Sequence, residues 1–432
     1  MRFSISAETR TRILTMFALV FAGEMIYSLP FHLMRFFRPT VLEVFDLSNA
    51  DLGDVFAPYG ITAMLSYFPG GILADRFSAR KMMCASLLFT AAGGFYLMTL
   101  PGMLGMSVLY AFWGVSSVFL FWCALIRATR AWGGRLAQGR GFGLLDGGRG
   151  LLAALFASAG VLLFSLRIGA DPTLADPAER AAALQAVILF YTVLTLAAAA
   201  AVWRLIPETP TAARKRRRQT WSNVRNVLRI RAVWLQAVIV ICAYCGFKGL
   251  DNYSLYYYEV LGMNETDAAG FAATTGYLRP GGAVLAGIVG DRFGIAWTTT
   301  VLFASLGACW GVLAFLGTSP ELVLILYANL IVTVFGVYAL RGLYFALLEQ
   351  THVPRAVTGT AIGVISLVGF TPDIFYNMIA GRLLDATPGI GGHQHTFLLL
   401  SGLATVGLIA AAMLHHSFGR STGPNRSASP PR

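Results

Sequence analysis

The chain has 432 residues, of which 56% are hydrophobic and only 12% charged, and its mean hydropathy is +0.65. So apolar a composition excludes a soluble protein of this length, because too little polar surface would remain to face water. The formal net charge of +12 is concentrated in one loop between apolar runs, which favours contact with anionic lipid heads over a nucleic-acid partner.

Twelve apolar runs follow one another along the chain, each long enough to cross the hydrocarbon core as a helix of about twenty residues. The predicted spans are residues 13–34, 53–73, 82–100, 105–126, 140–166, 183–205, 232–258, 268–290, 297–316, 321–348, 357–383 and 396–416. The sequence therefore predicts an all-α membrane protein with twelve transmembrane helices.

The runs divide into six plus six. Residues 1–206 are predicted to form an N-terminal six-helix bundle, 207–231 a cytoplasmic basic linker, 232–418 a C-terminal six-helix bundle, and 419–432 a disordered cytoplasmic tail. Most of the 33 lysines and arginines fall at the two termini, in the linker and in the loops on the same side. Basic residues are retained on the cytoplasmic side, so both termini are predicted to be cytoplasmic.

A short charged hairpin between spans 2 and 3 occurs again between spans 8 and 9. The first copy reads Gly71-Ile-Leu-Ala-Asp-Arg-Phe-Ser-Ala-Arg-Lys81 and the second Gly287-Ile-Val-Gly-Asp-Arg-Phe-Gly-Ile-Ala-Trp297. The copies lie 216 residues apart, which is half of the chain. Repetition at this period indicates that one helical unit was duplicated.

The hairpin charges suggest a gate. A carboxylate at the cytoplasmic end of span 2 can contact the positive N-terminus of a neighbouring helix or an arginine near the end of span 4. We predict that such contacts hold the cytoplasmic side closed; the alternative is a solvated turn whose charges only set topology. The predicted gating residues are Asp75, Arg76, Arg127, Asp291 and Arg292.

The hairpin resembles the signature loop of the major facilitator superfamily, Gly-x-Leu-x-Asp-Arg-x-Gly-Arg-Arg/Lys. Gly71, Leu73, Asp75, Arg76, Arg80 and Lys81 match it, whereas Ser78 stands where glycine is usual. The second copy keeps Gly287, Asp291, Arg292 and Gly294, and Pro207-Glu-Thr-Pro210 is similar to the motif that often follows span 6. The resemblance implies a transporter of two pseudo-symmetric six-helix bundles that opens alternately to each side.

A second resemblance concerns the later spans. The run Arg341-Gly-Leu-Tyr-Phe-Ala-Leu-Leu-Glu-Gln350, with Thr358-Gly-Thr-Ala-Ile-Gly363 and Gly369-Phe-Thr-Pro-Asp373, resembles a bacterial group near the sugar-phosphate and organic-anion permeases. The phosphate-ester antiporters of that neighbourhood place an arginine in each of spans 1 and 7. Here span 1 offers Glu24 and span 7 offers Lys248, and this departure argues against phosphate exchange.

Eight ionisable residues lie well inside predicted spans, where an isolated charge costs at least a few kcal/mol and a functional site is the default hypothesis. They are Glu24, Asp146, Arg149, Lys248, Asp251, Arg279, Arg341 and Asp373. Two pairs, Asp146 with Arg149 and Lys248 with Asp251, are three residues apart and are predicted to pair locally, as ion pairs or as substrate contacts. The helical rise puts Glu24 and Arg279 near the midplane, where transporter sites are expected.

Arginine is a forked donor suited to carboxylate, phosphate or sulfonate, so we predict an anionic solute. The predicted substrate-binding residues are Arg149, Lys248, Arg279, Arg341 and Asn377. A carboxylate removed from water gains affinity for a proton, which suits Glu24 or Asp373 to carry a coupling proton. Permanent salt bridges without a ligand role are the alternative.

Residue spacing adds two expectations. Polar stripes run along span 11 and span 7, and stripes of this kind line cavities more often than they face lipid: Ser366, Phe370, Asp373 and Asn377; Tyr244, Lys248, Asp251 and Leu255. Glycines four residues apart predict close helix packing at Gly139, Gly143 and Gly147 in span 5 and at Gly359 and Gly363 in span 11.

The sequence thus predicts a monomeric secondary active transporter of the bacterial cytoplasmic membrane, a symporter that moves a small polar, anionic solute together with a proton. Its partners are the solute, the proton and membrane lipids. No nucleotide-binding loop, metal-binding helix motif or nucleophile elbow occurs, so we expect no enzyme activity, cofactor or metal. Two alternatives stay open: an exporter of amphiphilic compounds, and a transporter-like receptor that senses a solute.

Overall fold

The computed structural model describes residues 7–133, 138–168, 175–208, 221–317, 320–344, 346–350 and 358–418. Within these ranges nearly all residues are helical and no β-strand occurs. Twelve long helical segments cross between two faces and are numbered here as spans 1 to 12. The hairpin face carries the connections at residues 77–78 and 294, and the loop face carries the connections at 37–48 and 260–264.

The first half contains six spans and one short helix on the loop face. Span 1 is Ala7–Tyr27, a π-helical turn Ser28–His32 and Leu33–Phe36; the short helix Arg38–Val44 follows; span 2 is Asn49–Arg76; span 3 is Ala79–Leu97; span 4 is Met103–Gly114, a π-helical stretch Val115–Trp122 and Cys123–Gly133; span 5 is Gln138–Ile168; span 6 is Pro177–Leu205.

The second half begins with the short helix Trp221–Leu228, inside the predicted linker. Span 7 is Arg231–Gly249, a 3-10 turn Leu250–Asn252 and Tyr253–Glu259; span 8 is Glu265–Thr275 and Leu278–Phe293; span 9 is Ile295–Phe315; span 10 is the turn Pro320–Leu322 and Val323–Leu343; a turn Ala346–Gln350 follows; span 11 is Thr358–Gly369 and Pro372–Ala386; span 12 is Ile390–Phe418.

The predicted spans are confirmed, with ends that differ from those of the structure by at most seven residues. Nine of the segments in the described part of the chain are long and apolar enough to cross a membrane; the other three are spans 2, 3 and 8. The connection between predicted spans 1 and 2 contains the short helix Arg38–Val44, which was not predicted from the sequence. Span 1 ends at Phe36 and contains a π-turn around Pro30, which has no N–H to donate.

The two copies of the hairpin differ in backbone geometry. Gly294 adopts φ +95°, a left-handed conformation that disfavours any residue with a side chain. Ser78, the equivalent residue of the first copy, has φ −61° and ψ 132° and starts span 3 without strain. The serine that departs from the superfamily signature is therefore compatible with this turn.

Spans 2 and 11 cross closely near the loop face because glycines remove side chains there. A Cβ on Gly60 would lie 2.6 Å from the carbonyl carbon of Asp373, and a Cβ on Gly53 or Gly381 would overlap the backbone of the opposite span. Close packing predicted for Gly143, Gly147 and Gly363 is wrong, since a Cβ at each would meet nothing within 4 Å. The surroundings of Gly139 and Gly359 lie outside the described residues.

The two halves meet at the loop face and part toward the hairpin face. Span 2 packs against span 11 along Pro372–Ala386 rather than along Thr358–Gly369. Polar links cross between the halves on the loop face: Arg382 to Asp54 at 2.8 Å, and the backbone N–H of Ala50 to Asp385 at 2.7 Å. A Cβ on Gly71, near the hairpin end of span 2, would meet nothing within 4 Å. The structure is therefore open toward the hairpin face.

Replacing Gly60 with alanine is expected to lower the stability of the loop-face contact, because overpacking a tight contact costs about 1–3 kcal/mol. Gly71→Ala is the matched control within the same helix: its Cβ has free space, and alanine in a helix is favoured over glycine by roughly 1 kcal/mol. Thermal unfolding of the purified variants measures both. Equal melting temperatures for the two variants would contradict the expectation.

Candidate functional site

Nine ionisable side chains lie between the two halves and are called here the central cluster. They are Glu24, Arg35, Asp146, Arg149, Lys248, Asp251, Arg279, Arg341 and Asp373. The cluster has five cations and four carboxylates, with the charge of the neighbouring His32 left aside. One positive charge therefore has no counter-charge within the cluster.

The first part of the cluster surrounds Glu24, which is 1% exposed. The Oε2 atom of Glu24 lies 3.3 Å from Nε of Arg149 and 3.9 Å from Nη1 of Arg279. Its Oε1 atom lies 3.1 Å from Nε2 of His32. Arg279 also donates through Nη2 to Oδ1 of Asp146 at 3.1 Å. Spans 1 and 5 of the first half are thus joined to span 8 of the second.

Two glycines make room for these arginines. A Cβ on Gly23 would lie 3.1 Å from Cδ of Arg149, and a Cβ on Gly150 would lie 2.9 Å from Cδ of Arg279. Because glycine has no side chain, the long arginine stems can lie flat against spans 1 and 5 and direct their guanidinium groups to Glu24.

The second part of the cluster surrounds Asp251 on span 7, which is 2% exposed. Its Oδ1 atom lies 2.6 Å from Nη2 of Arg35, and its Oδ2 atom lies 3.1 Å from Nζ of Lys248. Lys248 also lies 3.5 Å from Oδ1 of Asp373, which accepts from the hydroxyl of Tyr244 at 3.0 Å. Asp251 and Asp373 thus each have two partners within 3.5 Å, which offsets part of the cost of burying their charge.

Arg341 is the cation of the cluster that has no carboxylate in direct contact among the described residues. Among the described residues no carboxylate oxygen lies within 4.0 Å of its guanidinium, and its Nη1 atom is buried without a hydrogen-bond partner. The guanidinium carbon lies 3.9 Å from the ring centre of Phe247, which is a cation–π contact. An unpaired buried donor is costly, so this position is suited to receive an anion.

Of the two local ion pairs predicted within single helices, one is present in the structure and one is not. The pairing of Lys248 with Asp251 is confirmed at 3.1 Å. The pairing of Asp146 with Arg149 is wrong: Asp146 pairs with Arg279, and Arg149 pairs with Glu24. The neighbouring spans bring these partners to 3.1–3.3 Å, so contacts between helices replace the contact within span 5.

The two predicted polar stripes face each other. Tyr244 of span 7 contacts both Asp373 and the ring of Phe370 on span 11, whose ring centre lies 4.9 Å away. Asn377, on the same stripe, is 4% exposed, and both polar atoms of its amide lack a partner among the described residues. Asn377 therefore has unused donor and acceptor capacity at the interface of the halves.

The predicted gating residues lie apart from the cluster. Arg127 donates to the backbone carbonyls of Ala74 and Phe77, the latter at 3.0 Å, so it caps the end of span 2 within the first half. Arg76, Asp291 and Arg292 are exposed on the hairpin face. The side chain of Asp75 lies outside the described part of the structure. Instead, Glu208 of the Pro207-Glu-Thr-Pro motif binds Arg80 and Lys81.

Sequence reasoning did not select two residues that the structure places at the cluster, His32 and Arg35. His32 lies inside predicted span 1 but was not counted among its ionisable residues, and Arg35 lies one residue beyond the predicted end at 34. The repeat offset of 216 was a usable signal, because it relates His32 to Lys248 and Arg35 to Asp251.

Twelve spans in two repeated halves, with a buried charged cluster between them and an opening at one face, define a secondary transporter of the membrane. The sequence profile of the Major Facilitator Superfamily matches residues 13–375. The chain therefore belongs to the Major Facilitator Superfamily, and the resemblance noted in the hairpin is confirmed.

Known proteins of similar sequence include two from Escherichia coli K12. The inner membrane protein YqcE is 25% identical over 406 residues, which cover 92% of this chain and 93% of YqcE. The inner membrane protein YihN is 24% identical over 405 residues, with 92% and 93% coverage.

Solved structures of similar fold include a bacterial homologue of the human lysosomal transporter Spinster, in an inward-facing and occupied conformation. It aligns with a TM-score of 0.73 at 14% identity and covers 97% of this chain and 100% of that chain. The nucleoside transporter NupG aligns with a TM-score of 0.66 at 14% identity, covering 94% of this chain and 98% of that chain. At these identities the likeness concerns the fold.

Proposed function

We propose that this protein carries a small anionic solute across the inner membrane by alternating access, with Arg341 as the main ligand of the solute. The observation that carries the proposal is that Arg341 contacts no carboxylate of the described residues, whereas each other cation of the cluster contacts one. An anion seated on the free guanidinium edge would balance that charge through charge-assisted hydrogen bonds. A neutral or cationic solute would leave it unbalanced.

The other predicted ligands take different parts in this proposal. Arg149, Lys248 and Arg279 are held by carboxylates, so their charges are compensated within the cluster and they line the site rather than bind the solute as main ligands. Asn377 supplies an amide with unused hydrogen-bonding capacity for a polar group of the solute.

The hairpin face is taken as cytoplasmic, because it holds the ends of the chain and most of the basic loops. The structure then corresponds to a conformation open to the cytoplasm, with the loop face sealed. The names of YqcE and YihN support a location in the inner membrane of bacteria.

Proton coupling is assigned to two carboxylates of the cluster: Asp373, which contacts Lys248, and Glu24, which contacts Arg149. Asp373 is the better candidate for the coupling carboxylate. If Asp373 takes up a proton, Lys248 still has a carboxylate partner, Asp251, at 3.1 Å. Protonation of Glu24 would leave Arg149 without the carboxylate that it contacts at 3.3 Å.

The experiment is solute uptake into liposomes that contain the purified protein, across a panel of carboxylates, phosphates and sulfonates. Under a pH gradient of about one unit, one proton per anion supports roughly tenfold accumulation. Asp373→Asn or Glu24→Gln is expected to abolish this uphill accumulation while counterflow of labelled against unlabelled solute continues.

Asp46→Asn is the control for this measurement, since Asp46 is exposed at the loop face and asparagine tolerates its φ of +50°. Unchanged accumulation in both Asp373→Asn and Glu24→Gln would refute the coupling assignment. Absence of uptake for every anion under any ion gradient would refute the transport proposal itself.

Export of amphiphilic compounds is the second candidate, and a row of aromatic contacts favours it. The ring of Phe370 on span 11 stacks on Tyr67 of span 2 at 6.4 Å and meets Tyr244 at 4.9 Å, and Tyr244 meets Phe247 at 5.8 Å. An apolar group of a solute can stack on such rings. Efflux of amphiphilic dyes from loaded liposomes, with no uptake of small anions, would select this function instead.

A further inference from the structure

The contact between spans 1 and 7 joins residues that the duplication makes equivalent. The offset of 216 residues relates Phe31 to Phe247, His32 to Lys248 and Arg35 to Asp251. The ion pair of 2.6 Å between Arg35 and Asp251 therefore connects the same position of the two halves. Ser254 adds a hydrogen bond of 2.6 Å to the backbone carbonyl of Arg35.

Each phenylalanine of this contact lies next to a cation that belongs to the opposite half. The Nζ atom of Lys248 lies 4.4 Å from the ring centre of Phe31, and the guanidinium carbon of Arg35 lies 4.4 Å from the ring centre of Phe247. Each ring thus holds a buried cation from the opposite half. Together, Phe31, Arg35, Phe247, Lys248 and Asp251 form what is called here the span 1/7 lock, which closes the loop face.

The two rings of the lock differ in the cations that they contact. Phe247 holds a second cation, Arg341, at 3.9 Å, whereas the position equivalent to Arg341 in the first half is Leu125. The two guanidinium groups on Phe247 lie within roughly 8 Å of each other, and like charges at that distance in a protein interior repel. Asp251 is in contact with Arg35, whereas no carboxylate among the described residues is in contact with Arg341.

We propose that Phe247 is the positioning residue that transmits occupancy of Arg341 to the span 1/7 lock. An anion bound to Arg341 cancels the charge that opposes Arg35, so Arg35 stays on Phe247 and Asp251 and the loop face stays closed. When the anion leaves, the repulsion returns and lowers the stability of the closed lock, whose ion pair between Arg35 and Asp251 spans 2.6 Å in the structure. A solute that enters from the loop face would in this way close the lock behind itself, and its release toward the hairpin face would allow the empty carrier to reset.

This inference rests on the proposed role of Arg341 as the anion ligand, but its test needs no solute. Arg341→Gln removes the unbalanced charge permanently and imitates the occupied site. The opening of the loop face is followed by hydrogen–deuterium exchange of the peptides at residues 45–52 and 384–392, which lie at the loop-face ends of spans 2 and 11.

Arg341→Gln is expected to slow exchange of these peptides about threefold when Phe247 is present, the size of one cation–π contact. In a Phe247→Leu background the same substitution is expected to have no effect. Phe31→Leu, the equivalent change in the first half, is the matched control and should preserve the response, because Phe31 does not contact Arg341. Phe247→Tyr keeps an aromatic ring and should also preserve the exchange response to Arg341→Gln. This variant keeps the test informative if Phe247→Leu folds poorly.

A full response in the Phe247→Leu background, or no response to Arg341→Gln with Phe247 present, would overturn the inference. Transport is measured separately in liposomes, so the two proposals can fail separately. If anions are taken up but Arg341→Gln does not change the exchange rate, only the proposed role of Phe247 is refuted. An exchange response without uptake of any anion refutes the proposed solute alone.

Discussion

Replacing Arg341 with glutamine is expected to lower the specificity constant for solute uptake about a hundredfold. Loss of one partner of a buried, hydrogen-bonded charge pair costs roughly 3 kcal/mol, and each 1.4 kcal/mol is a factor of ten. Arg341→Lys should keep part of the activity, because lysine supplies the charge without the planar fork. Initial rates of uptake into liposomes, over a range of solute concentrations, measure both variants.

Melting temperatures of variants distinguish a role of Arg341 as solute ligand from a structural role. Arg341 has no carboxylate partner within 4.0 Å among the described residues, so Arg341→Gln leaves no buried anion unpaired and should not lower the melting temperature. Arg279→Gln is the contrasting variant, since it removes a partner from both Asp146 and Glu24 and should lower the melting temperature clearly. Arg225→Gln, at an exposed position, controls for loss of a positive charge. Uptake by Arg341→Gln at the normal rate would rule out Arg341 as the ligand.

The fold was predictable because membrane spans follow from composition and length alone. All twelve runs were found, and errors are confined to their ends, as at span 12, which begins at Ile390 rather than 396. The extension of span 1 could not be predicted, because it depends on a π-turn whose geometry is set by packing. That packing includes the hydrogen bond of 2.6 Å from the Tyr110 hydroxyl to the carbonyl of Pro30.

The residues of the cluster were also predictable, because charge inside a span is rare and conspicuous. Their pairing was not. Spacing along one helix favours Asp146 with Arg149, but the structure gives each a partner from another span. Which helices are neighbours, and how they are rotated, decides such pairs, and one sequence contains little information about either. Lys248 with Asp251 was predicted correctly because both lie on the same helix face.

The duplication separates two kinds of polar residue in this chain. The lock residue Arg35 and its neighbour His32 have charged equivalents, Asp251 and Lys248, in the second half. The site residues do not: the position equivalent to Glu24 is Val240, and the position equivalent to Arg279 is Ala63. A closure between two halves benefits from equivalent positions, because they meet at the pseudo-symmetry axis, whereas an asymmetric solute requires different groups from each half.

The largest loss of stability is expected for Asp251→Asn. Asp251 is 2% exposed and neutralises Arg35 at 2.6 Å and Lys248 at 3.1 Å, so the substitution leaves Arg35 buried without a carboxylate. Breaking a buried ion pair in this way costs about 3–5 kcal/mol. For a unit of the size of one half, this corresponds to a decrease of roughly 10 °C in melting temperature.

Restoring the charge balance distinguishes an electrostatic cause from a packing defect. In the double variant Arg35→Gln with Asp251→Asn, neither partner is charged and Lys248 keeps Asp373 at 3.5 Å, so most of the lost stability should return. Asp54→Asn is the matched control, because it breaks an ion pair between the halves that is largely exposed, and such pairs contribute at most about 1 kcal/mol. Thermal unfolding of the four purified proteins is the measurement. If the double variant is as unstable as Asp251→Asn alone, the charge of Arg35 is not what Asp251 compensates, and the span 1/7 lock is held by packing instead.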